Sequence, residues 1–307
     1  MTVLLVTPGR DSAGLAAAIR RQDPSIDVRI WPETGPAAAI RFAVLWQQPP
    51  GLLRQLKGLA AVSSLGAGAE HVLADPDLPP GMRVGRLAGQ RLAADMAAYL
   101  LAQVLGHWRR LARFRQAQAR EEWSPWAPAD PPRIGLLGTG NMAGAALRAF
   151  QALDVPVRAF NRSGRPLDGI RVESGRSGLF ALAEWSDYLI CLLPLTDQTR
   201  GILNADLFKR MRAGAVLVNV GRGAHLVEAD LLAGLDHGRP GAAILDVFAQ
   251  EPLPDGHPFW HHPAIQITPH CASVTGDEEA AGLIIESWRR VAAGQPPLDA
   301  VDRSLGY

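Results

Sequence analysis

Three short polar segments in the last third of the chain carry side chains that could do chemistry together. They are Asn219-Val220-Gly221-Arg222-Gly223, Asp246-Val247-Phe248-Ala249-Gln250-Glu251-Pro252 and Thr268-Pro269-His270. Each follows an apolar run that predicts a β-strand, and in an open α/β sheet ligands bind at the carboxyl ends of the strands. An arginine, a carboxylate and a histidine placed there could bind an oxo acid and move a proton onto its carbonyl.

Each of these three side chains has a predicted role. A hydride delivered to a 2-oxo group leaves negative charge on the oxygen, and His270 can protonate it because imidazole exchanges protons near neutral pH. Glu251 is the carboxylate that could keep His270 protonated and aligned. Arg222 can hold the substrate carboxylate or carbonyl with its guanidinium fork. Arg222, Glu251 and His270 are therefore the predicted catalytic residues.

Two series of short apolar runs predict the sheets that would position these side chains. The first series has predicted strands at Val3–Val6, Phe42–Trp46, Leu59–Ser63 and Met82–Val84, with helices at Ser12–Arg21 and Gly51–Leu56. The second has predicted strands at Arg133–Leu137, Val157–Phe160, Tyr188–Leu192, Ala215–Val220, Ala242–Asp246 and Ile265–Thr268, with helices at Met142–Leu153, Ala205–Met211 and Glu228–His237. This alternation is typical of parallel sheets with helices on both faces.

Two further helices are predicted outside these series. Leu92–Arg120 is apolar nearly all round in its first half, so it should be buried on several sides, between domains or at a subunit interface. The prolines of Trp123–Pro132 are expected to end it. A final helix, Asp277–Ala293, could return to the first domain and leave that domain discontinuous.

A glycine-rich turn predicts dinucleotide binding. Gly138-Thr139-Gly140-Asn141-Met142-Ala143-Gly144 follows a predicted strand and opens a predicted helix. Gly138 permits the tight turn, and Gly140 lets the backbone approach a pyrophosphate at the helix N-terminus. Ala143 takes the third place of the fingerprint, and Gly144 is expected to help the helix pack on the strand.

The end of the next strand predicts which dinucleotide binds. A site for NAD usually has an acidic residue there for the ribose hydroxyls, but this chain has Phe160-Asn161-Arg162-Ser163-Gly164-Arg165. Two arginines and a serine could hold a 2′-phosphate instead, which favours NADPH over NADH. The alternative is a solvated loop in an arginine-rich protein.

Composition and charge argue against several classes of protein. A formal net charge of +1 gives no electrostatic case for nucleic acid or membrane binding. No apolar run approaches the ~18 residues that span a bilayer, and the N-terminus has no basic signal region. Two cysteines, Cys191 and Cys271, cannot form a disulfide framework, which favours the cytoplasm. The histidine-rich stretch from residue 257 to 262 is interpreted as a loop, so no metal site is predicted.

The motifs resemble those of the D-isomer-specific 2-hydroxyacid dehydrogenase family. The matching segments are Gly138–Gly140, Asn219–Gly223, Leu245–Phe248 with Glu251–Pro254, and Thr268–His270. Together with the domain order, they extend the resemblance over essentially the whole chain. The C-terminal Val301–Tyr307, and Phe42–Pro50 containing Trp46, are similar to the glyoxylate/hydroxypyruvate reductase A branch of the family.

The resemblance implies a fold and an activity. The fold would be α/β, with a Rossmann dinucleotide-binding domain, residues 99–272, inserted in a smaller flavodoxin-like substrate domain, residues 1–98 plus 273–307. The activity would be NADPH-dependent reduction of glyoxylate or hydroxypyruvate to glycolate or D-glycerate, with the hydride from the nicotinamide and the proton from His270. A cytoplasmic homodimer, formed through Leu92–Arg120, is expected.

The resemblance also implies further site residues. Trp46 would line the substrate pocket, although it could instead be a core aromatic residue. The backbone amides of Gly66, Ala67 and Gly68 would bind the substrate carboxylate, together with Arg222. The implied cofactor-binding residues are Gly138, Gly140, Asn141, Met142, Asn161, Arg162, Ser163, Arg165, Pro194, Thr199, Val220, Gly221, Asp246, His270 and Ala272.

Two other functions stay open on the sequence alone. The protein could be another D-2-hydroxyacid dehydrogenase, of the phosphoglycerate or phosphonate type. It could also be a non-catalytic, dinucleotide-sensing protein like the transcriptional corepressors of this superfamily, since those can keep the arginine, glutamate and histidine. Asp246 could likewise be a structural cap rather than a nicotinamide contact.

Overall fold

Two parallel sheets organise the chain, and each belongs to its own compact unit in the computed structural model, which describes residues 2–128 and 130–307. The first unit comprises Met1–Arg91 and Thr275–Tyr307, and the second comprises Leu92–Val274. The division of the chain into domains 1–98 plus 273–307 and 99–272 stays a prediction.

The first unit contains the N-terminal strands and short helices. Its elements, in chain order, are β1 (Thr2–Val6), α1 (Ala13–Gln22), β2 (Asp27–Ile30), β3 (Ile40–Leu45), α2 (Leu52–Gln55), β4 (Ala61–Ser64), α3 (Glu70–Leu73) and β5 (Arg83–Arg86). The strand order is β2-β1-β3-β4-β5, with parallel pairing throughout. This is the flavodoxin-like order expected for the substrate domain.

The second unit begins within a long helix and continues with a larger sheet. Its elements are α4 (Gln90–Trp108), α5 (Leu111–Ala119), β6 (Ile134–Leu137), α6 (Asn141–Gln151), β7 (Val157–Phe160), β8 (Val172–Glu173), α7 (Gly175–Trp185), β9 (Tyr188–Cys191), α8 (Ala205–Phe208), β10 (Val216–Asn219), α9 (Glu228–Asp236), β11 (Ala242–Leu245) and β12 (Ile265–Ile267). The chain ends with α10 (Asp277–Ala292) in the first unit.

The strand order of the second sheet confirms the Rossmann fold. The order is β12-β11-β10-β9-β6-β7-β8, so the chain runs outward from β6 and then crosses back to β9. This reversal is the topological switch point of a doubly wound sheet. Successive residues of a strand face opposite sides, and Leu217 and Val218 accordingly belong to different hydrophobic clusters. Burial on both faces explains the near-continuous apolar strands.

The last helix packs against the first unit's sheet. α10 shares a buried cluster with α1, in which Ile19 of α1 and Ile284 of α10 are fully buried. Because the chain leaves the first unit and returns to it, the second unit is an insertion. The predicted fold class, a Rossmann domain inserted in a flavodoxin-like domain, is therefore confirmed.

Several predicted elements differ from the structure. The single long helix over Leu92–Arg120 is wrong: it breaks after Trp108, where Arg110 adopts left-handed backbone angles with φ +54°. The prolines do not end it, because α5 already stops at Ala119, ahead of Glu121 with φ +57°. The strands β2 and β8 and the helices α3 and α7 escape sequence analysis. β2 and β8 are short, partly polar strands at the sheet edges, and α7 contains two glycines.

The described part of the chain contains no helix that is long and apolar enough to cross a membrane.

Candidate active site

The three polar segments leave the sheet at one edge, side by side. Their strands β10, β11 and β12 are neighbours, with Asn219 opposite Leu245 and Leu245 opposite Ile267. The ladder continues past the strand ends, because the Asp246 N–H donates to the Asn219 carbonyl and the Thr268 N–H donates to the Leu245 carbonyl, both at 3.0 Å. The sheet thus brings together segments that are far apart in sequence.

The backbone around Arg222 is fixed by its neighbours. Buried Asn219 accepts from the Gly221 N–H (3.2 Å) and donates through Nδ2 to the Arg222 carbonyl (3.1 Å). The Arg222 N–H donates to Nδ1 of His225 at 3.0 Å. The guanidinium itself donates from Nη1 to the Gly221 carbonyl at 2.7 Å. These contacts set the position from which the Arg222 side chain extends.

Gly223 joins the arginine segment to the segment that carries Glu251. A Cβ atom added at Gly223 would lie 1.8 Å from the Phe248 carbonyl carbon, so only glycine allows this approach. The Phe248 N–H in turn donates to Oε1 of Glu251 at 3.0 Å. A side chain at residue 223 would therefore force Phe248, and with it Glu251, to move.

Glu251 and His270 form a hydrogen-bonded pair. His270 Nδ1 lies 2.6 Å from Glu251 Oε2, and the two side chains are 34% and 35% exposed. Burial on its own raises the pKa of Glu251, but the hydrogen bonds from His270 and the Phe248 N–H, with the charges of His270 and Arg222, together lower it. The carboxylate is thus held in its ionised form. Nδ1 donates to it, which leaves Nε2 as the imidazole nitrogen that can exchange a proton.

Asp246 holds the turn that carries His270. Its buried carboxylate accepts from the Thr268 hydroxyl (2.6 Å) and from the N–H groups of Cys271 and Ala272 (3.0 Å each). The His270 N–H donates to the Asp246 carbonyl at 2.8 Å, and His270 has φ +50°, a conformation that L-residues rarely adopt. Both Asp246 oxygens are therefore engaged in shaping the turn, as the alternative of a structural cap predicts.

Tyr99 of α4 extends this network and was missed by sequence analysis. Its hydroxyl lies 2.6 Å from the Thr268 hydroxyl, which donates to Asp246 and so accepts from Tyr99. Burial raises the pKa of Tyr99 to about 12, so the phenol keeps its proton as a donor. The available signal was a hydroxyl-bearing residue in an almost wholly apolar stretch of the helix.

The glycine-rich turn leaves its backbone open at the N-terminus of α6. Gly138 has φ +109°, and a Cβ atom there would lie 2.9 Å from the Leu192 carbonyl. A Cβ atom at Gly140 would meet nothing within 4 Å, so open space lies at the N-terminus of α6, where Asn141 and Met142 form the first turn. A phosphate group fits such a helix N-terminus.

The third place of the fingerprint is filled by Ala143, which is buried against the sheet. The packing role expected for Gly144 is not found, because a Cβ atom there would approach only Arg148, within the same helix.

Asn161 ties the loop after β7 to the glycine-rich turn. Its Nδ2 donates to the Thr139 hydroxyl (3.0 Å) and to the Arg165 carbonyl (2.9 Å). The Arg165 N–H donates to the Ser163 hydroxyl at 3.3 Å, and the side chains of Arg162, Ser163 and Arg165 are exposed. The loop therefore presents two cations and a hydroxyl beside the turn.

The loop after β9 meets the arginine segment. The Thr199 hydroxyl donates to the Pro194 carbonyl (2.7 Å), and the same carbonyl lies 3.3 Å from Nε2 of His225. Val220 follows β10 and, like Ala272, is buried. The segments that follow β9, β10 and β12 therefore carry five of the predicted cofactor-binding residues, namely Pro194, Thr199, Val220, Gly221 and Ala272.

The residues predicted to contact substrate from the first unit form a cluster of their own. The Trp46 ring covers Gly66, where an added Cβ atom would lie 3.1 Å from the ring, and it meets the His71 ring edge-on at 5.2 Å. Part of Trp46 also packs on the hydrophobic core, so its core alternative is partly right.

The backbone of the Gly66–Gly68 loop is oriented by bonds to its carbonyls. They accept from the Leu87 N–H (3.1 Å, to Gly66), Arg86 Nη1 (3.5 Å, to Ala67) and the Ser64 hydroxyl (2.6 Å, to Gly68). In a trans peptide the N–H points opposite to the carbonyl, so the Ala67 N–H points away from Leu87 and the Gly68 N–H points away from Arg86. The Gly66 N–H differs, because it donates to Ser64 Oγ at 3.2 Å.

Comparison with known proteins identifies the family. The model of the D-isomer specific 2-hydroxyacid dehydrogenase NAD binding domain matches residues 101–272, and the chain belongs to this family. Glyoxylate/hydroxypyruvate reductases A from Yersinia enterocolitica and Serratia proteamaculans are 35% and 36% identical to it over 314 aligned residues, covering 100% of each chain.

Two solved structures share the whole fold. A D-isomer specific 2-hydroxyacid dehydrogenase from Xanthobacter autotrophicus, in complex with NADPH and MES, has a TM-score of 0.94 and 33% identity, covering 100% of this chain and 99% of that one. The NADPH-dependent glyoxylate/hydroxypyruvate reductase from Sinorhizobium meliloti, in complex with NADP and sulfate, has a TM-score of 0.92 and 31% identity, covering 100% of both.

Proposed function

We propose that this protein uses NADPH to reduce glyoxylate and hydroxypyruvate to glycolate and D-glycerate. The observation that carries the proposal is the Glu251–His270 pair, 2.6 Å apart, on the segments that follow β11 and β12, with Arg222 on the segment that follows β10, the neighbour of β11. The activities named for the relatives of 35% and 36% identity support it. They do not favour a phosphoglycerate-type or phosphonate-type dehydrogenase, or a corepressor-like sensor.

His270 would donate the proton. Its Nδ1 is committed to the Glu251 carboxylate, so Nε2 is the nitrogen that protonates the substrate carbonyl oxygen as negative charge develops there. Glu251 stabilises the imidazolium before the transfer, because its own lowered pKa keeps it anionic. Arg222 would hold the oxo acid by charge-assisted hydrogen bonds and polarise its carbonyl.

The Gly66–Gly68 loop would bind the substrate carboxylate through backbone donors. The Ala67 and Gly68 N–H groups point away from Leu87 and Arg86, respectively, and both residues are partly exposed. Trp46, which covers Gly66, would give the site an apolar wall. Since Gly66 donates its own N–H to Ser64, we assign the carboxylate to Ala67 and Gly68.

The second unit would hold the dinucleotide, which supplies a hydride when bound. Gly138, Gly140, Asn141 and Met142 would bind the pyrophosphate at the N-terminus of α6, because the space over Gly140 is open. The remaining cofactor contacts are assigned to Asn161, Arg162, Ser163 and Arg165 for the adenosine 2′-phosphate, and to Pro194, Thr199, Val220, Gly221, His270 and Ala272 for the nicotinamide half. Asp246, which was also expected there, would act by shaping the turn that carries His270.

A substrate and cofactor panel tests this proposal. The full-length protein should oxidise NADPH with glyoxylate and with hydroxypyruvate, and kcat/KM with NADPH should exceed that with NADH. Turnover restricted to phosphorylated oxo acids would favour the phosphoglycerate-type alternative. Calorimetric binding of NADPH without turnover of any oxo acid would favour the sensor.

We also propose that the protein is a cytoplasmic homodimer. Leu111 of α5 is 47% exposed and lines a cavity of about 790 Å³ together with Trp108 and Trp126, and Trp123 is 97% exposed. Exposed apolar side chains of this size are typical of interaction surfaces. Light scattering should give twice the chain mass, and Leu111→Glu should lower it. A wild-type monomer at micromolar concentration would contradict the proposal, and cell fractionation tests the location.

A further inference from the structure

His225 is a buried histidine that the proposed mechanism does not use. It is fully buried in the short 3-10 turn Gly223–His225, directly after Arg222. Its Nδ1 accepts from the Arg222 N–H at 3.0 Å, so Nδ1 carries no proton. Its Nε2 lies 3.3 Å from the Pro194 carbonyl, which can only accept, so Nε2 donates. The ring is thus a neutral bridge between two segments.

The two segments that His225 joins have different proposed ligands. On one side is Arg222, proposed to hold the oxo acid. On the other is the loop from Pro194 to Thr199, proposed to contact the nicotinamide half, in which the Thr199 hydroxyl donates to the same Pro194 carbonyl. A movement of either segment therefore changes the geometry at the imidazole that contacts the other.

The His225 side chain caps the turn through its bond to the Arg222 N–H, and the turn also has backbone hydrogen bonds of its own. The His225 N–H donates to the Arg222 carbonyl (3.1 Å), and the Leu226 N–H donates to the Gly223 carbonyl (2.9 Å). The His225 carbonyl accepts from the Leu203 N–H at 2.9 Å. These backbone bonds hold the turn without Nε2 of the imidazole, whose contact to the Pro194 carbonyl links the turn to the other segment.

The ring also fits closely against the arginine segment. A Cβ atom added at Gly221 would lie 2.9 Å from Nδ1 of His225, so the imidazole lies against this glycine. Gly221 is the residue whose carbonyl accepts from the Arg222 guanidinium at 2.7 Å. The histidine therefore contacts the N–H of the Gly221–Arg222 peptide group. The Arg222 guanidinium contacts the carbonyl of the same peptide group.

We propose that His225 is a positioning residue that couples the dinucleotide loop to Arg222, so that the cofactor and the oxo acid favour each other's binding. The coupling rests on the proposed function, which assigns these two segments to the two ligands. By linkage, NADPH then tightens the binding of a 2-oxo acid analogue and the analogue tightens NADPH by the same factor. A replacement side chain needs one acceptor and one donor to keep the bridge.

The test compares two variants of the bridge with a matched histidine control. His225→Phe keeps a flat ring but cannot form either bond, and His225→Gln keeps an acceptor and a donor. His237→Gln changes an exposed histidine at the end of α9, where Nδ1 contacts only the Ala233 carbonyl among the described residues. Calorimetry measures the affinity of oxamate, a carboxylate that cannot be reduced, with and without NADPH, and of NADPH with and without oxamate.

We expect NADPH to tighten oxamate at least about fivefold in the wild type and in His237→Gln, in the usual range of coupling between two sites. In His225→Phe the ratio of oxamate affinities with and without NADPH should fall to within about twofold of unity. The KM for glyoxylate should rise about tenfold in this variant, as for one lost hydrogen bond. His225→Gln should recover part of both.

Undiminished coupling in His225→Phe, or equal losses in the Phe and Gln variants, would overturn the inference. In that case only the coupling inference would fail. The proposed function would stand, because the wild type would still reduce glyoxylate. A wild type that reduces no oxo acid contradicts the proposed function instead, and the calorimetry with oxamate still reports the coupling.

Discussion

The edge formed by β10, β11 and β12 and the Gly66–Gly68 loop are both proposed to meet the same small oxo acid, but they are built differently. At the sheet edge the working groups are side chains: Glu251 holds the His270 ring, and Asn219 holds the main chain of Arg222. In the loop the working groups are backbone N–H groups, oriented because the Gly66 and Ala67 carbonyls of the same peptides are bonded. Substituting a side chain at the edge should therefore lower kcat. Substituting a side chain around the loop should mainly raise the KM for the substrate.

The largest effect is expected at His270. His270→Ala removes the proton donor, and a positioned acid typically contributes ~10²–10⁴-fold, so kcat for glyoxylate reduction should fall by at least the lower figure. Stopped-flow measurement of NADPH oxidation checks this. NADPH affinity, measured by calorimetry, should change much less. Turnover within threefold of the wild type would refute the role of His270.

Glu251 should control the pH dependence more than the maximum rate. Its pKa is lowered in the folded protein, so the Glu251 carboxylate is ionised throughout the ordinary carboxyl range and loses its charge only as the pH falls through the lowered value. Glu251→Gln removes the anion that favours the protonated imidazole. The variant lacks the group whose protonation weakens the pair at low pH, so the acid-side decline of the glyoxylate reduction rate should be smaller than in the wild type, and kcat near neutrality should fall. Superimposable pH profiles would count against the pair.

Much of this edge was predictable from the sequence, because strand ends and short polar motifs are local features. Arg222, Glu251 and His270 each follow an apolar run, and parallel pairing aligns the runs. The supporting bonds depend on long-range packing: Tyr99 lies far from Thr268 in sequence, and Gly223 meets Phe248 only in the folded sheet. The break at Arg110 was missed because a left-handed residue leaves no apolar pattern, and the edge strand β8 has only two residues.

An intermediate effect is expected at the loop after β7. Replacing Arg162 and Arg165 together by Ala removes two cations proposed to hold the 2′-phosphate, so the KM for NADPH should rise about tenfold or more. The KM for NADH should change little, because it lacks that phosphate. Initial-rate kinetics with both cofactors measure the ratio. Arg158→Ala, on the preceding strand with its guanidinium 4.4 Å from the Trp185 ring centre, is the control. Equal losses for both cofactors would contradict the assignment.

A smaller effect is expected at Tyr99, which acts on His270 only through Thr268 and Asp246. Tyr99→Phe removes one buried hydrogen bond from the turn, so kcat should fall several-fold, consistent with the modest net value of such a bond. Tyr188→Phe is the matched control, because its hydroxyl contacts His107 at 2.7 Å in a separate pair. Equal changes in kcat for the two variants would show that Tyr99 contributes only to folding.

The smallest effect is expected in the loop, where the proposed contacts to the substrate carboxylate come from backbone N–H groups. Ser64→Ala removes the hydroxyl that donates to the Gly68 carbonyl and accepts from the Gly66 N–H. The peptides remain held by Leu87 and Arg86, so the KM for glyoxylate should rise only a few-fold, with kcat nearly unchanged. Ser63→Ala, whose hydroxyl donates to the Ser64 carbonyl, is the neighbouring control. A large fall in kcat for Ser64→Ala with an unchanged KM would mean that the loop acts on catalysis and not on carboxylate binding, because a backbone site that only binds substrate affects both states alike.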